Sequence, residues 1–424
     1  MAVANVTILS AALAKGYELM EMKKDGLTLE AAREKILYGV APLDETEDVR
    51  LLDAVGRILA MDMYARTDNP PFDRSPVDGY ALKACDTREA SREQPVCLTV
   101  IAQVDAGGYY SQTVESGQAV RIMTGAPVPG GCDVCVRQED TDYGEKEVRI
   151  YVPYSAGTNY CHAGEDFAAG QKLLTKGTKL GYVEIALLAS MGIPSVSVYR
   201  KPKIALFTTG DELIFPGEPL PPGKIYNSNL FGLVARLKEL GFVPERICQL
   251  SDDGQGGAAA IANAAKTMDL ILTTGGVSVG KKDIIHDIIK LLPAKRLFWG
   301  ILMKPGMPTI ASVVGDMPLI SLTGNPFGAL ATFELLVRPV LAKLCRDASL
   351  LPGKASAVFL GEFKKASPVR RFMRARYDNG YVVLPEGSHS SGVLASMRNC
   401  NCLLDIPGGS QGLESHSRVD VVLL

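Results

Sequence analysis

A chain of 424 residues that is 47% hydrophobic and 22% charged is neither disordered nor fibrous. It is long enough for about two to four domains. Lys and Arg number 45 against 47 Asp and Glu, a net charge of −2, which gives no general pull toward nucleic acid or an anionic membrane.

The N-terminal stretch predicts two helices over 6–40, broken near Asp25-Gly26. The second is capped by Thr28 and carries Ala31, Ala32, Ile36 and Leu37 at helical spacing. The first fourteen residues are uncharged but lack the basic start of a secretory signal, so a cytoplasmic protein is expected. Residues 51–63 read as a further helix. From Asn69 the character changes. Asn69-Pro70-Pro71-Phe72 excludes a helix, and 98–152 holds short apolar runs set between Gly and Thr, the pattern of a small β domain. The C-x-x-C of Cys132 and Cys135 has no second pair at zinc-site spacing, and the nine cysteines read as reduced thiols. A helix over 181–191 and a strand over 194–199 follow.

Residues 203–346 alternate apolar strands (204–207, 243–250, 270–273, 319–322) with helices (227–240, 258–268, 283–292, 327–344). That rhythm predicts an α/β domain with a mostly parallel sheet. Beyond Leu351-Pro352-Gly353, short strands predict a β tail forming its own small sheet or barrel. The longest uncharged run, 317–333, is interrupted by Gly324-Asn325-Pro326, so no membrane span is expected.

In such a domain function collects beyond the carboxyl ends of the strands, and three loops stand there. Thr208-Thr209-Gly210-Asp211-Glu212 offers two adjacent carboxylates, suited to Mg²⁺ or equally to a solvated turn. Residues 273–283 offer Gly275, Gly276 and Gly280 for close backbone approach to an anion, Ser278 as a hydroxyl donor, two lysines, and Asp283 as metal ligand or helix cap. The run is not a Walker A loop, because Gly276 to Gly280 is one residue short and Lys281 is followed by Lys. Thr323-Gly324-Asn325-Pro326 places Asn at a helix N-cap and Pro at the first helical position. Three such loops favour a phosphate-bearing ligand over any one of them alone. Gly254-Gln255-Gly256-Gly257 matches a loose dinucleotide fingerprint, but Asp252 and Asp253 directly before it would repel a pyrophosphate. Lys304-Pro305-Gly306-Met307-Pro308 is a stiff segment bearing a cation.

The run Pro71-Phe72-Asp73-x-Ser75-x-x-Asp78-Gly79-Tyr80-Ala81, read as a loop, precedes in order Met123-Thr124-Gly125-Ala126, Gly164-Glu165-Asp166, Thr209-Gly210-Asp211-Glu212, 274–280 and Gly324-Asn325-Pro326. Together these segments resemble the molybdopterin molybdotransferase family, which includes the E domain of gephyrin. The resemblance covers the chain from about Leu27 to its end. It implies a multidomain α/β protein. A discontinuous helical dimerisation domain would span 1–70 and 165–200, an inserted β domain 71–164, a three-layer α/β/α molybdopterin-binding domain 201–347, and a β-barrel-like domain 348–424. The implied reaction inserts molybdate into adenylylated molybdopterin, giving molybdenum cofactor and AMP with Mg²⁺.

By motif position, Asp211, Glu212, Asp252, Asp283 and Lys304 are the implied catalytic residues, with Glu212, Asp252 and Asp283 on the metal. Gly275, Gly276, Ser278, Gly280, Gly324, Asn325 and Pro326 would bind substrate. Arg374 and Ser388 would close the site, and Asp78, Thr124 and Asp166 would come from the second chain of a homodimer. An upstream molybdopterin adenylyltransferase and downstream molybdoenzymes are implied partners, with no nucleic acid and no membrane. The chain departs from the family at Met307 and Gly300, where Lys is frequent, and at Thr323, where Pro is frequent. It departs again at Tyr160-Cys161-His162-Ala163, where an Arg-rich run is common. A tungstate-inserting paralogue and a non-catalytic, gephyrin-like scaffold are the alternatives.

Overall fold

The strand and helix rhythm of 203–346 forms the α/β layer of the larger of two units. The computed structural model describes residues 25–278 and 284–424; the helix expected ahead of Asp25 lies outside them. One unit comprises 1–45 with 199–424, the other 46–198.

In the first unit, α1 (Leu29–Tyr38) starts where Thr28 accepts a hydrogen bond from the Ala31 N–H at 3.2 Å. The α/β layer then runs β1 (Ile204–Thr209), α2 (Ser228–Glu239), β2 (Arg246–Leu250), α3 (Gly254–Ala264), β3 (Leu270–Thr274), α4 (Ile285–Leu291), β4 (Ala294–Trp299), β5 (Ile310–Val314) and β6 (Met317–Leu322). The sheet order is β2-β1-β3-β6-β5-β4. The first four strands are parallel, and β5 and β4 complete one edge antiparallel. Strand alternation splits the core. Leu206, Leu272 and Ile320 face α1, α2 and the C-terminal helix, whereas Phe207, Ile271 and Leu319 face α3 and α4. This is the three-layer α/β/α arrangement.

The helix expected over 327–344 is continuous but not uniform: α5 (Pro326–Thr332), a π-helical stretch (Phe333–Val337) and α6 (Arg338–Cys345), stopped by Arg346 in the left-handed region. The π-helical stretch carries Glu334, only 4% exposed, which accepts from Arg236 Nε at 2.7 Å and Arg338 Nη1 at 2.8 Å. Arg338 also donates to the Leu350 carbonyl at 2.8 Å. Removing the shared carboxylate leaves the buried Arg338 guanidinium without its ion-pair partner and Arg236 with Glu239 alone. Glu334→Ala is therefore expected to destabilise this unit by about 3 kcal/mol, read as a lowered urea midpoint.

The tail is a closed five-stranded barrel of β7 (Lys354–Phe359), β8 (Arg370–Asp378), β9 (Tyr381–Val383), β10 (Cys402–Ile406) and β11 (Arg418–Leu423), sealed by the β8–β10 pairing. The two-residue strand Met303–Lys304 pairs in parallel with β8, matching Met303 to Arg370 and Lys304 to Arg371. Backbone hydrogen bonds thus join the barrel to the α/β layer.

In the second unit a five-stranded sheet includes Gly79–Leu82 at its interior. The Asp78-Gly79-Tyr80-Ala81 motif thus enters a strand rather than a loop. An ideal Cβ on Gly79 would lie 1.8 Å from the Val136 carbonyl oxygen, so only glycine fits the pairing there. The helix expected over 51–63 does not form beyond one turn, Leu51–Ala54. Gly56 turns at φ +77°, and the N–H groups of Leu59 and Ala60 bond to Thr178 and Ser197 instead. Cys132 and Cys135 are buried thiols pushed by desolvation up to about 12 and about 11, which keeps them protonated and inert.

Candidate functional site

The parallel register aligns four strand ends: Thr209 with Leu250, Thr208 with Thr274, and Thr274 with Leu322. The loops that follow line a cavity of about 700 Å³, which gathers Glu212, Asp252, Gly275, Gly276, Ser278, Gly324, Asn325 and Pro326. Asp211 and Asp252 exchange backbone-to-carboxylate hydrogen bonds of 3.4 and 3.1 Å, so the two acidic loops are tied together. Gly280 and Asp283 lie outside the described residues.

Gly275 at φ +98° and Gly276 at φ +63° wrap over Thr209. An added Cβ would meet the Thr209 carbonyl oxygen at 2.6 Å and its hydroxyl at 2.9 Å respectively. The loop is held below by Trp299 Nε1, which donates to the Val277 carbonyl at 3.1 Å. Asn227 and Asn229, which sequence reasoning missed, organise the opposite wall. Asn227 caps α2 and donates to Thr208 Oγ1 at 2.8 Å; Asn229 donates to Thr274 Oγ1 at 3.1 Å and to the Gly324 carbonyl at 2.8 Å. The signal was an Asn at a helix start directly after a strand–turn segment. Asn325 holds the N-cap position with Pro326 behind it, but its side chain makes no capping bond and lies exposed at the cavity rim.

Lys304 lines a second cavity, of about 640 Å³, with Met307, Lys365, Arg371, Arg374, His389, Ser390 and Ser391. The two cavities adjoin across Pro308, Thr323 and Asn325. Among the described residues, the first carries Glu212 and Asp252, and the second is lined by Lys304, Lys365, Arg371 and Arg374 and by no carboxylate.

Arg374 is fully buried. It donates to the carbonyls of Ser390 and Val393 and stacks on the Phe327 ring at 4.0 Å, while its Nε has no partner. Burial lowers its pKa from the ordinary guanidinium value. It fixes the 390–393 loop, and the α/β layer grips the same loop through the Phe327 N–H to the Ser391 carbonyl, 3.1 Å. Ser388 lines neither cavity; its hydroxyl accepts from the Ser390 N–H at 3.3 Å. Ser390 and Ser391, two and three residues on, are the cavity serines. Arg371 also went unseen in the sequence, standing beside Arg370, which is consumed by Asp405 and Glu30.

At the Gly254 fingerprint two helix-start N–H groups are already engaged. Asp253 caps α3 by accepting from Gln255 N and Gly256 N at 3.1 and 2.9 Å, and a Cβ on Gly257 would meet Ile288 at 2.5 Å. Those glycines serve the cap and the packing of α3 on α4.

In the second unit the motif segments are stitched together. Asp78 accepts from the Thr124 N–H at 2.8 Å and hydroxyl at 2.7 Å, which holds its carboxyl below the usual range. Asp166 accepts from Asn69 Nδ2 at 2.8 Å, and Asp73 from the Ala163 N–H and the Tyr160 hydroxyl, each at 2.8 Å. Asp78, Thr124 and Asp166 are all exposed or at the surface of that unit and line neither cavity.

Among the described residues no three His, Cys, Asp or Glu side chains gather as a metal cage. Mg²⁺ does not need one, since it is held by one or two carboxylates with substrate phosphates and water. Glu212 and Asp252 fit that donor set. No helix among the described residues is long and apolar enough to cross a membrane.

Three family models match in order: the MoeA N-terminal region (domains I and II) over 27–192, a probable molybdopterin-binding domain over 205–343, and the MoeA C-terminal region (domain IV) over 356–424. The molybdopterin molybdenumtransferase of Bacillus subtilis is 39% identical over 387 residues, with 90% of each chain covered. That of Staphylococcus aureus MSSA476 is 35% identical, with 88% of this chain and 90% of the relative covered. The crystal structure of the molybdopterin biosynthesis MoeA protein from Pyrococcus horikoshii superposes with a TM-score of 0.81 at 34% identity, covering 94% of this chain and 99% of that one. Sequence, domain order and fold agree, and the chain belongs to the molybdopterin molybdenumtransferase (MoeA) family.

Proposed function

We propose that this chain inserts molybdate into adenylylated molybdopterin, releasing AMP, with the diphosphate in the Gly-turn cavity and the oxyanion in the cationic one. The observation that carries the reading is the separation of charge between two cavities that share one wall. A pterin diphosphate needs close backbone approach, which Gly275, Gly276 and Gly324 allow, and the neighbouring hydroxyl of Ser278. Glu212 and Asp252 would hold Mg²⁺, which when bound neutralises phosphate charge and stabilises the departing AMP. Asp211 positions Asp252 through their reciprocal bonds. Asp283 belongs to this set by its place in the sequence.

A small dianion needs the opposite lining. Lys304, Lys365 and Arg371 supply it, and Arg374 holds the Ser390–Ser391 backbone in place behind them. Thr323 and Asn325 at the common wall would orient the reacting sulfur ligands toward the oxyanion. The reading includes a homodimer in which Asp78, Thr124 and Asp166 of a second copy complete the site, checked by sedimentation.

The test is AMP release with adenylylated molybdopterin, molybdate and Mg²⁺ each omitted in turn, and tungstate exchanged for molybdate. The expected result is release that requires all three together. Release independent of the oxyanion would mark a hydrolase, no release with any oxyanion a scaffold, and preference for tungstate the paralogue.

A further inference from the structure

His389 sits on the loop between β9 and β10 and lines the cationic cavity beside Ser390 and Ser391. Its imidazole makes no hydrogen bond among the described residues, unlike the guanidinium of Arg374, whose Nη1 and Nη2 donate to that same loop. The groups charged at neutral pH around it are Lys304 from the segment paired with β8, Lys365 from the loop before β8, and Arg371 and Arg374 from β8 itself. All are basic side chains. Cys400, whose thiol interacts with Arg374, is pushed up by burial and stays uncharged near neutral pH. Among the described residues that line this cavity, His389 is the one histidine, the side chain type whose ordinary pKa lies nearest neutrality.

We propose that His389 is a proton-dependent contact for the bound dianion, setting this chain's oxyanion affinity according to pH. The inference rests on the oxyanion reading of this cavity. Burial, and then the Arg374 charge, lower the basicity of the empty-state imidazole below the ordinary histidine value. At pH 7 and above it is neutral and contributes only a weak hydrogen bond. A dianion reverses the balance, because it stabilises imidazolium at short range. Binding then takes up a proton between the two basicities. Affinity rises as pH falls through the bound-state value and levels off below the empty-state value. Each tenfold gain in imidazole basicity on binding is a tenfold gain in affinity.

The experiment is isothermal titration of the full chain with micromolar molybdate, and separately with sulfate, from pH 8 to 5.5 in two buffers of different ionisation enthalpy. Sulfate stays a dianion throughout, so its profile excludes protonation of the ligand. The wild-type chain is expected to bind each about tenfold more tightly at pH 5.5 than at pH 8, with net proton uptake. His389→Gln should flatten the profile at the weaker level, and His389→Lys should flatten it at the tighter level. A wild-type profile that is already flat, or one that survives unchanged in His389→Gln, overturns the proposal. Lys304→Ala separates the two readings. If it weakens binding at every pH, the cavity holds the oxyanion and the His389 profile decides the inference. If neither dianion binds any variant, or Lys304→Ala changes nothing, the cavity assignment itself fails and the inference falls with it.

Discussion

Gly275→Ala is expected to leave the fold intact and lower kcat/KM on the order of 100-fold. The residue turns at φ +98°, outside the region that L side chains adopt readily, which costs about 1–3 kcal/mol by itself. An alanine Cβ would also stand 2.6 Å from the Thr209 carbonyl oxygen and 2.7 Å from its hydroxyl. Thr209 is only 4% exposed at the end of a central strand and cannot retreat, so the turn must lift. If the turn carries the diphosphate as proposed, lifting it would break the Gly275 N–H bond to the Leu322 carbonyl (3.2 Å) and move the backbone that approaches the ligand, and a misplacement near 1 Å costs on the order of 10² in rate. Circular dichroism and molybdate affinity should match wild type. Turnover within about threefold of wild type would show that this turn does not carry the diphosphate.

The second large effect comes from splitting the two cavities by mutation. Glu212→Gln combined with Asp252→Asn keeps shape and removes the two carboxylates that line the first cavity among the described residues. AMP release should fall by about 10³-fold or more, while titrated molybdate affinity stays within about twofold. Lys304→Ala should do the reverse, weakening molybdate binding about 10- to 100-fold, the worth of a charge-assisted contact, while adenylylated molybdopterin binding is retained. Loss of both ligands in either variant would mean a single merged pocket rather than two adjoining ones.

Much of this architecture was legible in the chain because short-range constraints wrote it. Thr28 caps α1 with its own hydroxyl, apolar runs of four to six residues formed the parallel strands, and Pro326 opened α5 at the first helical position. Other features were hidden for equally physical reasons. The antiparallel edge strand β4 was hidden because Lys295 and Arg296 break its apolar run, exposed at the side of the sheet where only β5 pairs with it. Leu51–Ala54 stops after one turn, although the stretch to Met63 is apolar enough for a helix, because Gly56 turns and its neighbours' N–H groups pair with distant backbone.

The amino-acid sequence by itself determined the turns that only glycine can make, the caps, and the order of the acidic and glycine loops beyond the strands. These depend on a residue and its few neighbours. Tertiary structure alone decided that Glu212 and Lys304 line different cavities, that Arg371 joins the fully buried Arg374 in the lining of the second, and that Ser390 and Ser391 rather than Ser388 face it. Those outcomes depend on one pairing, Lys304 with Arg371, between strands more than sixty residues apart, and on the closure of the barrel that follows. In a strand, neighbouring residues point to opposite sides, so register decides which of two adjacent arginines binds Asp405 and which reaches the cavity.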